Sequence, residues 1–413
     1  MAGLTRTQIL LTVGMLIAGS LNTVTLKAQN NCSARGLKDM NGKEKHQFEH
    51  PWIQTALMFL GEMICLIGLF IHRRKERLKY KQRLLHDGID RRSYKEATQT
   101  RKSLQRRVFQ WIFAFPALCD LCGTTLATIG LLYVKASVWQ MLRGSIIIFT
   151  GLLSKIFLKR KLWPIHWIGM IVTVVGLVLV GLSSVLRDKE ASHPKAGLGI
   201  AFILMGQCVS ATQYIVEERF LKEKNFHPLQ VVGMEGFFGF TVMAAVVLPV
   251  LYFIPGSQPH HSYENSLDAL LMIKNDTTLA TLIVFYTLSI AFYNFFGLTL
   301  TKSLTAVHRT LIDACRTIVV WAVELFIHYA LHEDFGETWD RKYSIFQVDG
   351  FLFLMLGTAL YNELLIIPPL MPKPDASQQD QASNEIENGD VDLPENEPFL
   401  RGIDKAGPYT GVM

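Results

Sequence analysis

Ten apolar runs, each about the 20 residues a helix needs to cross a bilayer, divide the chain. They are Arg6 to Lys27, Pro51 to His72, Phe109 to Leu132, Val138 to Leu158, Trp163 to Leu186, Ala196 to Phe220, Pro228 to Ile254, Leu279 to Thr301, Val307 to Ala330 and Phe346 to Pro368. Hydrocarbon offers backbone N–H and C=O groups no partner, so a spanning segment is either a helix or a strand of a closed barrel. Barrel strands are short and alternate in polarity, whereas these runs are long and continuous. The expected fold class is therefore an all-α integral membrane protein with ten transmembrane helices. Half of the 413 residues are hydrophobic and 18% are charged, a balance outside the range of ordinary soluble domains.

Charge distribution orients the spans. Arg73 to Arg107 holds 14 Lys or Arg against 4 Asp or Glu. Such a basic connection belongs on the cytosolic side. Lys155 and the run Lys159 to Lys161 fall on the same side, which places both termini in the cytosol. The net charge of +6 raises nucleic acid as a partner, but no aromatic-basic recognition motif accompanies it, and membrane lipid is the partner the basic loop suits. Two glycosylation sequons, at Asn31 and Asn275, lie in connections that the charge rule assigns to the lumen. The first span is too long for a signal-peptide core and lacks a small-x-small cleavage site, so it is expected to be retained. Cys119 and Cys122 have the spacing of a redox or metal pair; inside an apolar helix and without a second pair, they read as small packing residues. No metal or cofactor is expected.

The ten spans divide into two sets of five. His-Pro opens the second span of each, in HPWIQTALMFLGE at His50 and HPLQVVGMEGFFG at His227. ALCDLCGTTLAT, Ala117 to Thr128, aligns with AFYNFFGLTLTK, Ala291 to Lys302, setting Asp120 opposite Asn294. QMLRGSIII aligns with DACRTIVV, so Gln140 and Arg143 correspond to Asp313 and Arg316; Gly169 and Gly176 correspond to Gly350 and Gly357. Because five is odd, the second set enters from the opposite side, as in inverted-repeat transporters. The expected organisation is 1–186 for the first repeat with its basic cytosolic loop 73–107, a lumenal linker at 187–195, the second repeat over 196–368, and a disordered cytosolic tail at 369–413.

LCDLCGTTL, QMLRGSIIIFTGL, HPLQVVGMEGFFGF, the FYNF block at Phe292 and LIDACRTIVVW together resemble the drug/metabolite transporter (EamA-like) superfamily, and more closely subgroup F of solute carrier family 35, relatives of the nucleotide-sugar transporters. The likeness runs from about Arg6 to Glu363, without the basic insertion and the tail. It implies ten helices and residence in an endomembrane, with lysosome or late endosome first and Golgi or mitochondrion as alternatives. FYNF is only part of the FYNN pattern of GDP-mannose carriers, and no GALNK segment follows. Near the tail's end, ENEPFL (Glu395, Phe399, Leu400) has the form of an acidic dileucine signal that a sorting adaptor would read, or of a chance match. A homodimer is a further candidate assembly.

Intramembrane charge is expensive and marks function. Arg143 and Arg316 are the leading candidates for solute binding, since a guanidinium presents a planar fork suited to carboxylate or phosphate. The alternative for each is an internal lock, Arg316 with Asp313 on one helical face and Arg143 with Asp120 across helices. Glu62, Glu235 and Asp120, with Asp313, are candidates for proton coupling or gating. Gln140, Asn294, Tyr214 and Gln207, together with Asn22 and Gln213, supply uncharged hydrogen-bonding groups for the solute or for helix contacts. Gly233, Gly236 and Gly239 are expected to allow close helix approach, and Trp111, Tyr133, Trp139 and Trp163 to anchor span ends at the interface. The expected activity is secondary-active transport of a small polar, anionic metabolite by alternating access. The alternative is a non-transporting scaffold that keeps the carrier fold. No enzyme motif is present: HExxH, a nucleophile elbow and GxxxxGK[ST] are all missing from the sequence.

Overall fold

Helix starts are marked in the sequence and used as such. Thr5 opens α1 (Arg6–Asn31) with a capping box, its hydroxyl accepting the Gln8 N–H while the Gln8 side chain accepts that of Thr5. Prolines stand at the first position of α2 (Pro51–His86), α5 (Pro164–Arg187) and α7 (Pro228–Val242), where the missing N–H is no loss. The other helices are α3 (Ala114–Leu131), α4 (Ile146–Phe157), α6 (Ala196–Lys222), α8 (Leu248–Phe253), α9 (Ser266–Asn275), α10 (Thr277–Ser303), α11 (Ala306–Leu331) and α12 (Ser344–Tyr361). A π-helical turn at Met243–Val247 carries α7 into α8, just ahead of Pro249. This computed structural model describes residues 5–37, 44–86, 107–131, 133–134, 139, 142–187, 196–331, 344–362 and 365. Gln140, most of the linker at 187–195 and the tail with Glu395, Phe399 and Leu400 lie outside the described residues.

Among the described residues, six helices are long and apolar enough to cross a membrane: α1, α2 as far as Lys79, α3 with its leading turn, α6, the α7–α8 unit and α10. Shorter apolar helices at Ile146–Phe157, Pro164–Val180 and Ile345–Tyr361 accompany them. Large apolar side chains such as Ile9, Leu10, Ile17, Phe70 and Phe285 point outward, an apolar surface that suits lipid and not water.

Two features depart from the all-α expectation. Between α1 and α2, β1 (Ser33–Arg35) pairs antiparallel with β2 (Lys45–Gln47), and a short strand, β3 (Pro255–Gln258), precedes α9. The basic segment is also not wholly a loop: α2 continues through its first 14 residues to His86, and no glycine or proline interrupts that stretch.

The principal packings are α1 on α10, α3 on α6, α2 on α7 and α5 on α12. Glycines set the spacing. A methyl group on Gly176 would stand 2.6 Å from the Gly350 carbonyl oxygen, and one on Gly357 2.6 Å from that of Gly169, so α5 and α12 touch backbone to backbone. The expected role of Gly236 and Gly239 holds in the same way: Cβ atoms there would strike the Met63 nitrogen and the Phe59 ring at 2.5 and 2.3 Å.

Candidate solute cavity

The helices enclose a cavity of about 500 Å³. At one end its wall reaches Asn30 and Pro51, beside the β1–β2 hairpin; at the other it reaches Leu298 and Arg309. We call these the hairpin end and the basic end, the latter because Arg160, Lys222 and Lys302 lie there. Three guanidinium groups, Arg143, Arg309 and Arg316, and five carboxyl groups, Glu62, Asp120, Glu217, Glu235 and Asp313, line it.

A buried ion pair in the cavity wall joins Arg309 Nη1 on α11 to Glu217 Oε2 on α6 at 2.8 Å. A chain of hydrogen bonds extends it on both sides. Gln213 donates to Glu217 Oε1 at 2.7 Å; Arg309 reaches Asn294 Oδ1 at 3.5 Å; Asn294 donates in turn to Glu62 at 2.5 Å. The Arg309 guanidinium also lies 4.4 Å from the centre of the Tyr214 ring, a cation–π contact. Four helices, α2, α6, α10 and α11, are thus linked through one polar network.

A second cluster surrounds Arg316. Its Nε is 3.3 Å from Asp313 Oδ1, the Tyr293 hydroxyl donates to the same oxygen at 2.7 Å, and the guanidinium lies 5.1 Å from the Tyr293 ring centre. The expected Asp313–Arg316 pairing is therefore present. Arg143 is different. It lies 4.8 Å from the Trp139 ring centre and makes no ion pair among the described residues. The expected Asp120–Arg143 contact is not formed: Asp120 accepts from Thr124 of its own helix at 3.4 Å. Trp139 also departs from its expected interfacial role, since its Nε1–H donates to the Ala127 carbonyl at 3.0 Å and its ring forms cavity wall.

Gln207, Tyr214, Asn294, Glu62 and Glu235 all face the cavity. Glu235 is buried and its Oε1 has no hydrogen-bond partner. Glu217 and Arg309, the centre of the network, were not singled out by sequence. Glu217 sits in the charged stretch EER at the end of one apolar run, and Arg309 three residues into another, positions that ordinarily snorkel to the interface. The signal that would have found them is one acid and one base, each a turn inside an otherwise apolar helix.

At the basic end, ion pairs and hydrogen bonds draw the described elements together. Glu218, fully buried, pairs with Arg160 and with Lys222 at 3.0 Å, and accepts the Ala306 N–H at 2.9 Å at the start of α11. Lys302 donates to the Phe226 carbonyl at 3.2 Å. Nearby, His227 caps α7 by accepting the Leu229 N–H at 3.2 Å. Burial, then the neighbouring His72, Lys302 and Arg73, holds its pKa down to about 4, keeping it the neutral acceptor that the cap requires. At the hairpin end, Asn31 closes α1, and Asn275 closes α9 with its side-chain amide donating to the Arg35 carbonyl at 2.8 Å.

Comparison with known proteins places this geometry. The profile of the CRT-like, chloroquine-resistance transporter-like family matches residues 94–271. Solute carrier family 35 member F6 of Rattus norvegicus is 37% identical over 366 residues, covering 87% of this chain and 90% of the relative. Its counterpart in Homo sapiens is 36% identical over 367 residues, with the same coverage. A solved crystal structure superposes with a TM-score of 0.52 at 13% identity, covering 87% of this chain and 97% of that one, a likeness of fold. A multi-pass membrane transporter and not an enzyme, the chain belongs to solute carrier family 35.

Proposed function

We propose that this carrier moves a small polar, anionic metabolite, nucleotide-sugar-like or another organic anion, together with protons by alternating access of two inverted five-helix repeats. The observation that carries the reading is Arg143, a cation in the cavity wall without a carboxylate partner among the described residues. Arg309 and Arg316 are each matched by an acid, Glu217 and Asp313. Glu62, Asp120 and Glu235 have no cation within salt-bridge distance among the described residues. With those three protonated the lining carries a net single positive charge, from three guanidiniums against two carboxylates; with all five acids ionised the balance is two negative. Proton uptake by the unpaired acids therefore prepares the cavity for an anion, and proton release favours its departure. Gln140, Gln207, Tyr214 and Asn294 supply hydrogen bonds to the solute, and Asp313 competes with it for Arg316.

The pairing of helices supports the repeat. Exchanging the two halves turns the α1–α10 packing into α6–α3, and leaves α2–α7 and α5–α12 as self-matched pairs. We place the hairpin end, with Asn31 and Asn275 glycosylated, in the lumen of a lysosome or late endosome, and the termini in the cytosol. A sorting adaptor would read Glu395, Phe399 and Leu400. In that orientation the cavity reaches the lumenal side and is shut toward the cytosol, the state that loads from an acidic compartment.

A second reading rests on the same acids: exchange of a cationic solute for protons, the cation binding when the carboxylates are ionised. Uptake into proteoliposomes separates the readings. Anion symport predicts saturable uptake of labelled organic anions, faster when the side of solute addition is acidic and lost in folded Arg143→Ala. Cation exchange predicts uptake of organic cations driven by the opposite proton gradient and insensitive to Arg143→Ala. Flat traces for both panels, with folded protein, support the non-transporting scaffold instead.

A further inference from the structure

Outside the cavity, at the hairpin end, three donors from three separate elements converge. His46 on β2, His50 immediately before α2 and Asp268 in the first turn of α9 place His Nε2 atoms and a carboxylate oxygen within 4.8 Å of one another. His46 Nε2 is 2.8 Å and His50 Nε2 3.3 Å from the same atom, Asp268 Oδ2. The side chains of His50 and Asp268 are fully buried, while that of His46 is 18% exposed.

We propose that this cluster is a binding site for a divalent transition-metal ion of the zinc type, held by His46, His50 and Asp268. Two imidazoles and a carboxylate suit Zn²⁺ or Co²⁺; Mg²⁺ and Ca²⁺ favour oxygen donors throughout. A tetrahedral ion with ligands at about 2.0–2.1 Å needs donors roughly 3.3 Å apart, so small shifts of the side chains accommodate it. The partly exposed side at His46 leaves the fourth position to water.

The surroundings are those of a ligand set. His50 Nδ1 is bonded to the buried Glu264 carboxylate at 2.7 Å, which directs Nε2 toward the common centre. That Nε2 is buried and, although near Asp268, has no aligned hydrogen-bond partner. An imidazole oriented by a carboxylate through its other nitrogen is the usual outer-shell arrangement of a metal-bound histidine. Asp268 Oδ1 is taken by the Leu37 N–H at 2.5 Å, leaving Oδ2 for the ion. Asn265 fixes the start of α9 by accepting the Leu267 and Asp268 N–H groups at 3.2 and 3.3 Å. The hairpin closes so tightly that a methyl group on Gly36 would lie 2.1 Å from Asp268 Oδ1. The competitor for the site is a proton: burial works to lower the His50 pKa, but contacts with Asp268 and Glu264 outweigh it and push it up to about 9.

Such an ion would join the β1–β2 hairpin and the start of α2 to α9, next to Pro51 and Asn30, which line the cavity. It would act as a staple beside the mouth, independent of which solute the carrier moves. The test uses full-length protein in detergent, purified without a histidine tag, stripped with chelator and titrated with Co²⁺ and then Zn²⁺ at mildly alkaline pH. Wild type should take up one Co²⁺ per chain with the intense visible absorption of a tetrahedral site, displaced by Zn²⁺. His46→Ala should lose this, and Glu264→Gln should bind about 10- to 100-fold more weakly. His261→Ala, an exposed histidine outside the cluster, should match wild type. Size-exclusion profiles confirm folding, and His46, at the partly exposed edge, is the variant expected to fold. Absence of the Co²⁺ spectrum in folded wild type, or equal binding by His46→Ala, overturns the proposal and leaves a proton-held cluster.

Discussion

Arg309 and Glu217 neutralise each other at 2.8 Å, both side chains nearly buried in the cavity wall, so each depends on the other to be tolerated. Removing one leaves an uncompensated buried charge, an effect of about 3–5 kcal/mol, whereas replacing both by apolar groups of similar volume is frequently neutral. Arg309→Met should therefore lower thermal stability in detergent sharply, and Arg309→Met combined with Glu217→Leu should recover most of it. A double variant as unstable as the single would show that the hydrogen bonds to Gln213 and Asn294, not the charge pair, hold the network. At this scale the sequence was partly legible. Arg143, Arg316, Asp313, Glu62, Asp120 and Glu235 stand out as charges inside apolar runs, and all of them reach the cavity wall. Their partners were not legible, because partner choice depends on helix rotation. Asp120 points to its own Thr124, and the arginine that the acids surround is Arg309, close enough to a span end to pass for an interfacial residue.

Helix packing was easier to read than side-chain pairing. The seven-residue glycine spacing in the fifth and tenth apolar runs is visible in the sequence, and in the structure Gly169 meets Gly357 while Gly176 meets Gly350. Each added Cβ would press on a backbone carbonyl, which cannot rotate away. Gly350→Val should therefore destabilise by about 1–3 kcal/mol through overpacking, and Gly197→Val, where nothing lies within 4 Å, should leave stability nearly unchanged. Thermal unfolding of the two proteins side by side checks this; equal stability would mean that α5 and α12 separate without penalty. What the sequence did not disclose is the hairpin-end cap. β1 and β2 are three residues each and show no run of alternation, and α9 is a 10-residue amphipathic helix. Long-range contacts to Asp268 and Asn275 order these pieces, and no local pattern encodes such contacts.

For the whole molecule, the alternating access proposed above would require the basic end to open, and the contacts that hold it among the described residues converge on one side chain. Glu218 holds Arg160 from the segment before α5, Lys222 on its own helix and the first N–H of α11. The Ala306 N–H belongs to a helix start, where an intrahelical partner is lacking, so loss of the carboxylate leaves that end uncapped and the cations unpaired. Arg309 lies one turn further along α11, which couples the closure to the Glu217–Arg309 pair facing the cavity. Glu218→Ala should shift the population toward opening at the basic end without unfolding the remainder. Hydrogen–deuterium exchange on the purified protein reads this directly: peptides covering Ala306 to Arg309 should exchange about tenfold or more faster than in wild type, while α1 and α10 keep their protection. If protection around Ala306 is unchanged, Glu218 is not the latch and closure resides in the apolar packing of Phe113, Phe220 and Phe226. If exchange instead rises across every helix, Glu218 supports the fold as a whole, and opening at the basic end must be sought in a different contact.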